Sequence, residues 1–340
     1  MRLQGPSTAL RQGAGRLAAY APGTHVSRSA QYAMKWKRNT GFGRIEDRRG
    51  QAGTGGLGDV FGTGGGGGGG GIPIPIPGGK AGGGIGGLIV VVVLFLLFSG
   101  VLGGSGGTIP GVGGLGGGGV AEPGGTLVPQ SDTDQELAYI VDSVETFWAA
   151  EFQASGKTYP ETKLVLFDNS TESACGTASS ATGPFYCPAD QKVYLDLGFF
   201  DELQSKFGAQ GGDFAMAYVV AHEFGHHVQD ALGITQRVEE LVQQDPSQQN
   251  DLSVRVELQA DCLAGVWAHS AASDVEAGDI QEALSAASAV GDDRIQQATT
   301  GRIDPESWTH GSAEQRQQWF MVGYRQASID DCNTFNAESL

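Results

Sequence analysis

Two histidines four residues apart, with a glutamate directly after the first, form the segment His222-Glu223-Phe224-Gly225-His226. In a helix, positions i and i+4 stand one above the other, so both imidazoles point to one place. A catalytic zinc ion takes such a pair, a third protein ligand and a water. Glu223 projects beside the pair and has the chemistry of a general base for that water, whose pKa zinc lowers to about 7. The bland alternative is an ordinary helix with surface histidines. Against it, the preceding run Phe214-Ala-Met-Ala-Tyr-Val-Val-Ala221 is almost wholly apolar, so the helix is expected to be buried. Buried imidazoles and a buried carboxylate need partners, and a metal supplies them. His227, five residues from His222, lies off the ligand face. It is expected at the surface or behind the ligands.

The third ligand must come from another element. One class of zinc peptidases places Gly third and His sixth after the motif. Here those positions hold Gln229 and Leu232, which excludes that class. Glu257, in Glu257-Leu-Gln-Ala-Asp261, is the candidate, on a polar face of the next long helix. Asp261 follows one turn later and can accept the free ring N–H of a ligand histidine, fixing its tautomer. The alternative for Glu257 is a solvated surface residue. His310, before the last helix, is a candidate for stabilising a developing oxyanion, with Arg316 behind it. The alternative is a loop histidine at a helix start.

These residues need a scaffold. After a helix cap at Asp132 or Asp134, apolar residues recur at Leu137, Ile140, Val141, Val144, Phe147, Trp148 and Phe152, a helical stripe. Lys163–Phe167 and Lys192–Leu197 read as strands. Helices are expected over Phe214–Leu232, Val254–His269, Gly278–Ala289 and Ser312–Ala327, the last opened by the capping box Ser312-x-x-Gln315. The fold class is α+β: a mainly helical body with a small sheet over residues 131–340.

The remaining sequence has a different character. The 340-residue chain holds 56 glycines, most of them before residue 126. Residues 1–80 carry eleven Lys/Arg against three Asp/Glu, and the rest ten against 35, for a net charge of −17. The acidic part excludes nucleic acid as a partner, because that needs clustered positive charge. Residues 1–84 are expected to be a disordered, basic, Gly/Pro-rich segment, with a flexible glycine run at Gly64–Gly71. The segment Gly79-Lys80-Ala81 lacks the Ser/Thr and the preceding strand of a phosphate loop. Residues 85–102 include the unbroken apolar run Leu88–Phe98 and reach the length of a membrane-spanning helix. Residues 103–130 form a second Gly-rich linker. Basic flanks face the cytoplasm, so the expectation is a single-pass protein with its N-terminus inside and residues 131–340 outside.

All four cysteines, Cys175, Cys187, Cys262 and Cys332, follow the apolar run, and an even count in an exported domain reads as two disulfides. Three pairings are possible. Cys175–Cys187 closes a short loop, which leaves Cys262–Cys332 to tie the tail to a helix. No C-x-x-C spacing supports a cysteine zinc site.

Several segments together resemble the neutral zinc metallopeptidase family of bacteria, the YpfJ-like proteins. They are Glu46-Asp-Arg-Arg-Gly50, Cys175-Gly176, Gly183-Pro-Phe-Tyr-Cys-Pro188, Val193-Tyr-Leu-Asp196, Ala221-His-Glu-Phe-Gly-His-His-Val-Gln229, Glu257-Leu-Gln-Ala-Asp-Cys262 and His310-Gly-Ser-x-x-Gln-Arg316. The resemblance covers Met34–Gly50 and most of 130–335, and it suggests Met34 as the true start. It implies a zincin-like domain on a single-pass membrane protein, with His222, His226 and Glu257 as zinc ligands, Glu223 as base and Asp261 orienting a histidine. Zincins pair an edge strand with the substrate backbone, and Lys192–Leu197 is the expected strand. The resulting expectation is a zinc peptidase acting on protein or peptide. The rival readings are a non-enzymatic zinc-binding envelope module and a zinc amidase acting on cell-wall peptides.

Overall fold

The structure is a computed structural model, and it describes residues 40–50, 124–276 and 278–340. Seven strands and eight α-helices make up the described body, with short 3₁₀ turns between them. The α+β expectation holds. The helices dominate, and the sheet is small and mixed.

Strands β1 (Ile45–Asp47), β2 (Gly125–Thr126), β3 (Lys163–Leu166), β6 (Phe185–Cys187) and β7 (Lys192–Leu195) form one sheet in the order β2-β1-β3-β7-β6. The three inner strands run parallel and the two edges antiparallel. Leu164, Val165 and Leu166 are all buried, as expected for an inner strand covered on both faces. Strands β4 (Ser170–Ser173) and β5 (Gly176–Ser179) form a separate hairpin. Its turn is tied to β6 by the disulfide Cys175–Cys187.

β1 is a correction to the sequence reading. Residues 42–47 were expected in a disordered segment set apart from the body. Instead Ile45 is buried, and the strand pairs with β3 on one side and β2 on the other. Charge holds it as well as backbone. Arg49 bridges Asp47 and the fully buried Asp134 at 2.8 Å each, and Arg44 reaches Asp142 at 3.0 Å and Glu145 at 2.9 Å. Glu46 takes Arg48 and Lys192 at 2.7 Å each, which holds its carboxyl down at about 2 against the opposing effect of burial. Hydrogen-bonded strands share one aqueous side. The expected division, with all of 1–84 on one face of a membrane and 131–340 on the other, does not fit this sheet. Residues 85–102 lie outside the described residues, and no described helix is long and apolar enough to cross a membrane.

Helix α1 (Asp132–Ala154) is capped by Ser131, whose side chain accepts from the Asp134 N–H. It buries Leu137, Ile140, Val141, Val144, Trp148 and Phe152. Each such side chain contributes about 1.5–3 kcal/mol of transfer free energy. Helices α2 (Gly198–Ser205) and α4 (Ile234–Gln244) are short surface elements. Helix α3 (Asp213–Ala231) runs through the core, with every residue from Phe214 to Gly225 buried. Around it lie α5 (Gln249–Ser270), α6 (Asp279–Ala289), α7 (Asp292–Thr300) and α8 (Ala313–Gln326). α8 begins with the expected Ser312/Gln315 capping box.

α5 and α8 cross at very short range. A Cβ on Gly323 would lie 1.9 Å from the Cys262 carbonyl oxygen, and one on Gly265 would lie 2.1 Å from that of Phe320. Only hydrogen fits at either position. The second disulfide, Cys262–Cys332, fastens the C-terminal tail to α5. Both cysteine pairs are those the sequence favoured.

Candidate metal centre

α3 presents His222 and His226 on one face, with ring centroids 4.8 Å apart and planes 86° apart. α5 approaches that face because Gly225 faces Ala260, where a Cβ would sit 3.1 Å from backbone. Glu257 is thereby brought opposite the pair. Its Oε2 is 3.3 Å from His222 Nε2 and its Oε1 is 3.5 Å from His226 Nε2. Among the described residues, these three form one of two groups with geometry suited to a metal ion.

Both imidazoles already use their other nitrogen. His222 Nδ1 lies 2.9 Å from Asp261 Oδ1, and His226 Nδ1 lies 2.9 Å from Gln229 Oε1. The Nε2 atoms therefore face Glu257. Two imidazole nitrogens and one carboxylate, with His222 and Glu257 buried and His226 partly so, are the donor set a zinc ion takes. The residues present fit the ion.

A scan against protein-family models matches residues 34–335 to the family described as "Putative neutral zinc metallopeptidase". The chain belongs to this family. It is 41% identical over 309 residues to "Uncharacterized protein YpfJ" of Escherichia coli K12, covering 89% of this chain and 99% of that one. It is 48% identical over 211 residues to "Uncharacterized protein Mb2605" of Mycobacterium bovis, covering 58% of this chain and 69% of that one. "Uncharacterized protein Rv2575" of Mycobacterium tuberculosis matches to the same extent. No solved structure matches.

In this zinc-metallopeptidase-family chain, Asp261 is the centre of a buried ionic network. It is fully buried and accepts from Tyr218 Oη at 2.6 Å and from Arg316 Nε and Nη2 at 2.8 and 3.0 Å. Burial opposes its charge, but Arg316 and His222 hold the carboxyl below its usual value. Glu257 is likewise held down against burial, chiefly by His226 and His222. Arg316 is thus bound to Asp261, and it also lies close enough to His310 for its charge to oppose protonation of that ring. At Glu223 burial wins instead, and it pushes the carboxyl up despite the neighbouring histidines and Arg316.

His310 lies at the same site, in the turn before α8. Its Nδ1 is 3.1 Å from Asp292 Oδ1. Asp292 Oδ2 accepts the backbone N–H groups of Thr309, His310 and Gly311 at 2.7, 2.6 and 3.1 Å. Against the opposing effect of burial, Asp292 and Glu257 raise the His310 pKa.

His222, Glu223, His226, Glu257, His310 and Arg316 line one cavity of about 170 Å³. Its other wall is apolar, with Phe185, Phe199, Val219, Val238, Val256 and Val290. Two expectations are corrected here. Lys192–Leu197 is not an edge, since β7 lies between β3 and β6. The edge at the cavity is β6, with Phe185 and Tyr186 in the wall. His227 is not at the surface. It is fully buried, 2.6 Å from the Pro160 carbonyl oxygen and 3.1 Å from Tyr186 Oη, so it braces β6 against α3.

Sequence reading missed Asp292, Tyr218 and Gln229. Tyr218 stands four residues before His222 and was open to the same helical argument. Gln229 is one turn from His226 and was weighed only as an absent glycine. Asp292 had no local signal, because its partners are fixed by the turn 309–311.

Proposed function

We propose that this chain is a zinc-dependent peptidase whose catalytic centre is the His222, His226, Glu257 cluster. The observation that carries the reading is that three convergent donors and a buried glutamate open onto one cavity. A structural zinc site is closed by four protein ligands, whereas a catalytic site keeps one position open. That favours a reacting centre over a purely structural zinc.

His222 Nε2, His226 Nε2 and the Glu257 carboxylate would hold the ion. When bound, zinc supplies Lewis acidity, polarising a carbonyl and making water acidic near neutral pH. The protein's own residues do the rest. Glu223 takes a proton from the attacking water and returns it to the leaving amide nitrogen, and its burial keeps the carboxylate basic enough for the task. His310 donates toward the carbonyl oxygen as that oxygen gains charge, and Asp292 favours the protonated ring and aims it. Asp261, itself neutralised by Arg316, fixes the His222 tautomer. An extended substrate would add to the β6 edge, with one apolar side chain in the cavity. We place the body outside the cytoplasm, because two disulfides persist in oxidising compartments.

The test is the full chain with Glu223→Gln. The wild type is expected to hold one zinc and to cleave unfolded protein. The variant is expected to keep the zinc and lose about 10²–10⁴ in rate, the usual range for a general base. Unchanged cleavage refutes the mechanism. Cleavage of cell-wall peptides in place of protein would select the amidase reading.

A further inference from the structure

The two histidines are held in different ways. His222 is fixed by a carboxylate with an arginine behind it, while His226 is fixed by the neutral amide of Gln229. An amide can be turned over, presenting N–H where oxygen stood, so something must fix its sense.

Gln229 is 1% exposed, and its Nε2 stands between two oxygens: the Val256 carbonyl at 2.8 Å and Gln259 Oε1 at 3.0 Å. Only the amide nitrogen can face two acceptors, so Oε1 must face His226. An acceptor there requires the proton on Nδ1 and leaves the Nε2 lone pair toward Glu257. Gln259 is an amide with the same ambiguity. Its own Nε2 donates to the Cys332 carbonyl oxygen at 2.9 Å, which forces its Oε1 toward Gln229. That last carbonyl belongs to a half-cystine of the disulfide to Cys262, and it cannot be turned over.

We infer that Gln229 is the positioning residue for His226, and that its orientation is set through Gln259 by the disulfide-anchored carbonyl of Cys332. The inference rests on the zinc reading and deepens it. The C-terminal tail is part of the zinc centre although it touches no ligand. Because Cys332 is set in place by its bond to Cys262, opening that disulfide with a dithiol, two thiols being formed as the dithiol is oxidised, loosens the anchor of a ligand histidine.

The test measures zinc affinity of the full chain by competition with a chromogenic chelator, with the absorption spectrum of the cobalt-substituted protein as a second readout. Gln229→Leu is expected to weaken zinc by about 10–100-fold, the usual cost of removing a partner behind a ligand. Gln259→Leu, which does not touch His226, is expected to weaken it in the same direction and by no more. Gln229→Glu keeps an acceptor for His226 but loses both donors. It is therefore expected to lower the thermal midpoint of the zinc-free chain while binding zinc more tightly than Gln229→Leu. Replacing Cys262 and Cys332 together by serine should follow Gln259→Leu. If Gln259→Leu lowers the midpoint but leaves zinc affinity and the cobalt spectrum at wild-type values, the relay is refuted. Wild-type affinity in Gln229→Leu refutes the role of Gln229 itself. A wild-type chain that binds no zinc overturns both this inference and the reading it rests on.

Discussion

Replacing Gly323 by alanine sets two effects of opposite sign against each other. In a helix interior, alanine is favoured over glycine by about 1 kcal/mol. At this position the new Cβ would lie 1.9 Å from the Cys262 carbonyl oxygen, 2.8 Å from its carbon and 2.9 Å from the Val266 nitrogen. All three are backbone atoms of α5, so no side chain can turn away. Ordinary contact begins near 3.4 Å. α8 must therefore retreat by about 1.5 Å or bend. Overpacking of this kind costs about 1–3 kcal/mol. Retreat also pulls Arg316 from Asp261, and a broken buried ion pair costs about 3–5 kcal/mol. The clash outweighs the propensity gain, and the net loss is about 3 kcal/mol or more. For a body of this size, about 2–4 °C accompany each kcal/mol, so the thermal midpoint should fall by roughly 6–12 °C. Circular dichroism melts of the full chain with and without Gly323→Ala measure it. A midpoint equal to or above wild type would show that α5 and α8 do not cross this closely.

Two further outcomes follow from buried charges. Arg316→Met leaves Asp261 buried without its cation and should cost about 3–5 kcal/mol in urea unfolding, and Arg316→Lys should recover only part because it cannot bind both carboxylate oxygens. A loss under about 0.5 kcal/mol for Arg316→Met would refute the ionic account. Burial pushes Glu145 up to about 7 despite Tyr159, Thr162 and Arg44 beside it. A raised folded pKa means the stabilisation is complete below the unfolded value of 4.5 and is lost as pH rises through about 7, some 3 kcal/mol across that window. Unfolding free energies from urea titrations between pH 4.5 and 8 should fall in wild type by that much more than in Glu145→Gln. Parallel pH profiles would contradict it.

The site was legible in the sequence where chemistry and helical period coincide. His222, Glu223 and His226 announce themselves by spacing within one helix, and the Glu257/Asp261 pair by a polar face on an otherwise apolar one. The capping box at Ser312 and the stripe from Leu137 to Phe152 were equally local signals. What failed was non-local. Which strand lies at a sheet edge depends on the order β2-β1-β3-β7-β6, and nothing within Lys192–Leu197 states it. Ile45–Asp47 is three residues long, too short for any period, and its parallel partner β3 lies more than a hundred residues away. The Asp292–His310 contact depends on a turn whose shape was not readable. The hold of Asp261 on Arg316 is non-local as well, since it joins α5 to α8 across 55 residues.

β1 has a consequence for how the sheet comes to exist. It is the first of the described strands to be synthesised, yet its place is between β2 and β3, and Ile45 meets Leu164 only after 118 intervening residues. Long loop closure is slow, and a strand awaiting its partner exposes unpaired N–H and C=O groups. Ile45–Asp47 carries three ionic side chains on or beside it in Glu46, Asp47 and Arg48, which suit a short strand to waiting in water. The same charges then become the bonds that seat it. Pairing with β2 and β3 and the ion pairs to Asp134, Asp142, Glu145 and Lys192 thus seat β1 by contacts made across the fold, so that this short segment is an inserted strand of a body otherwise built from residues 124 onward.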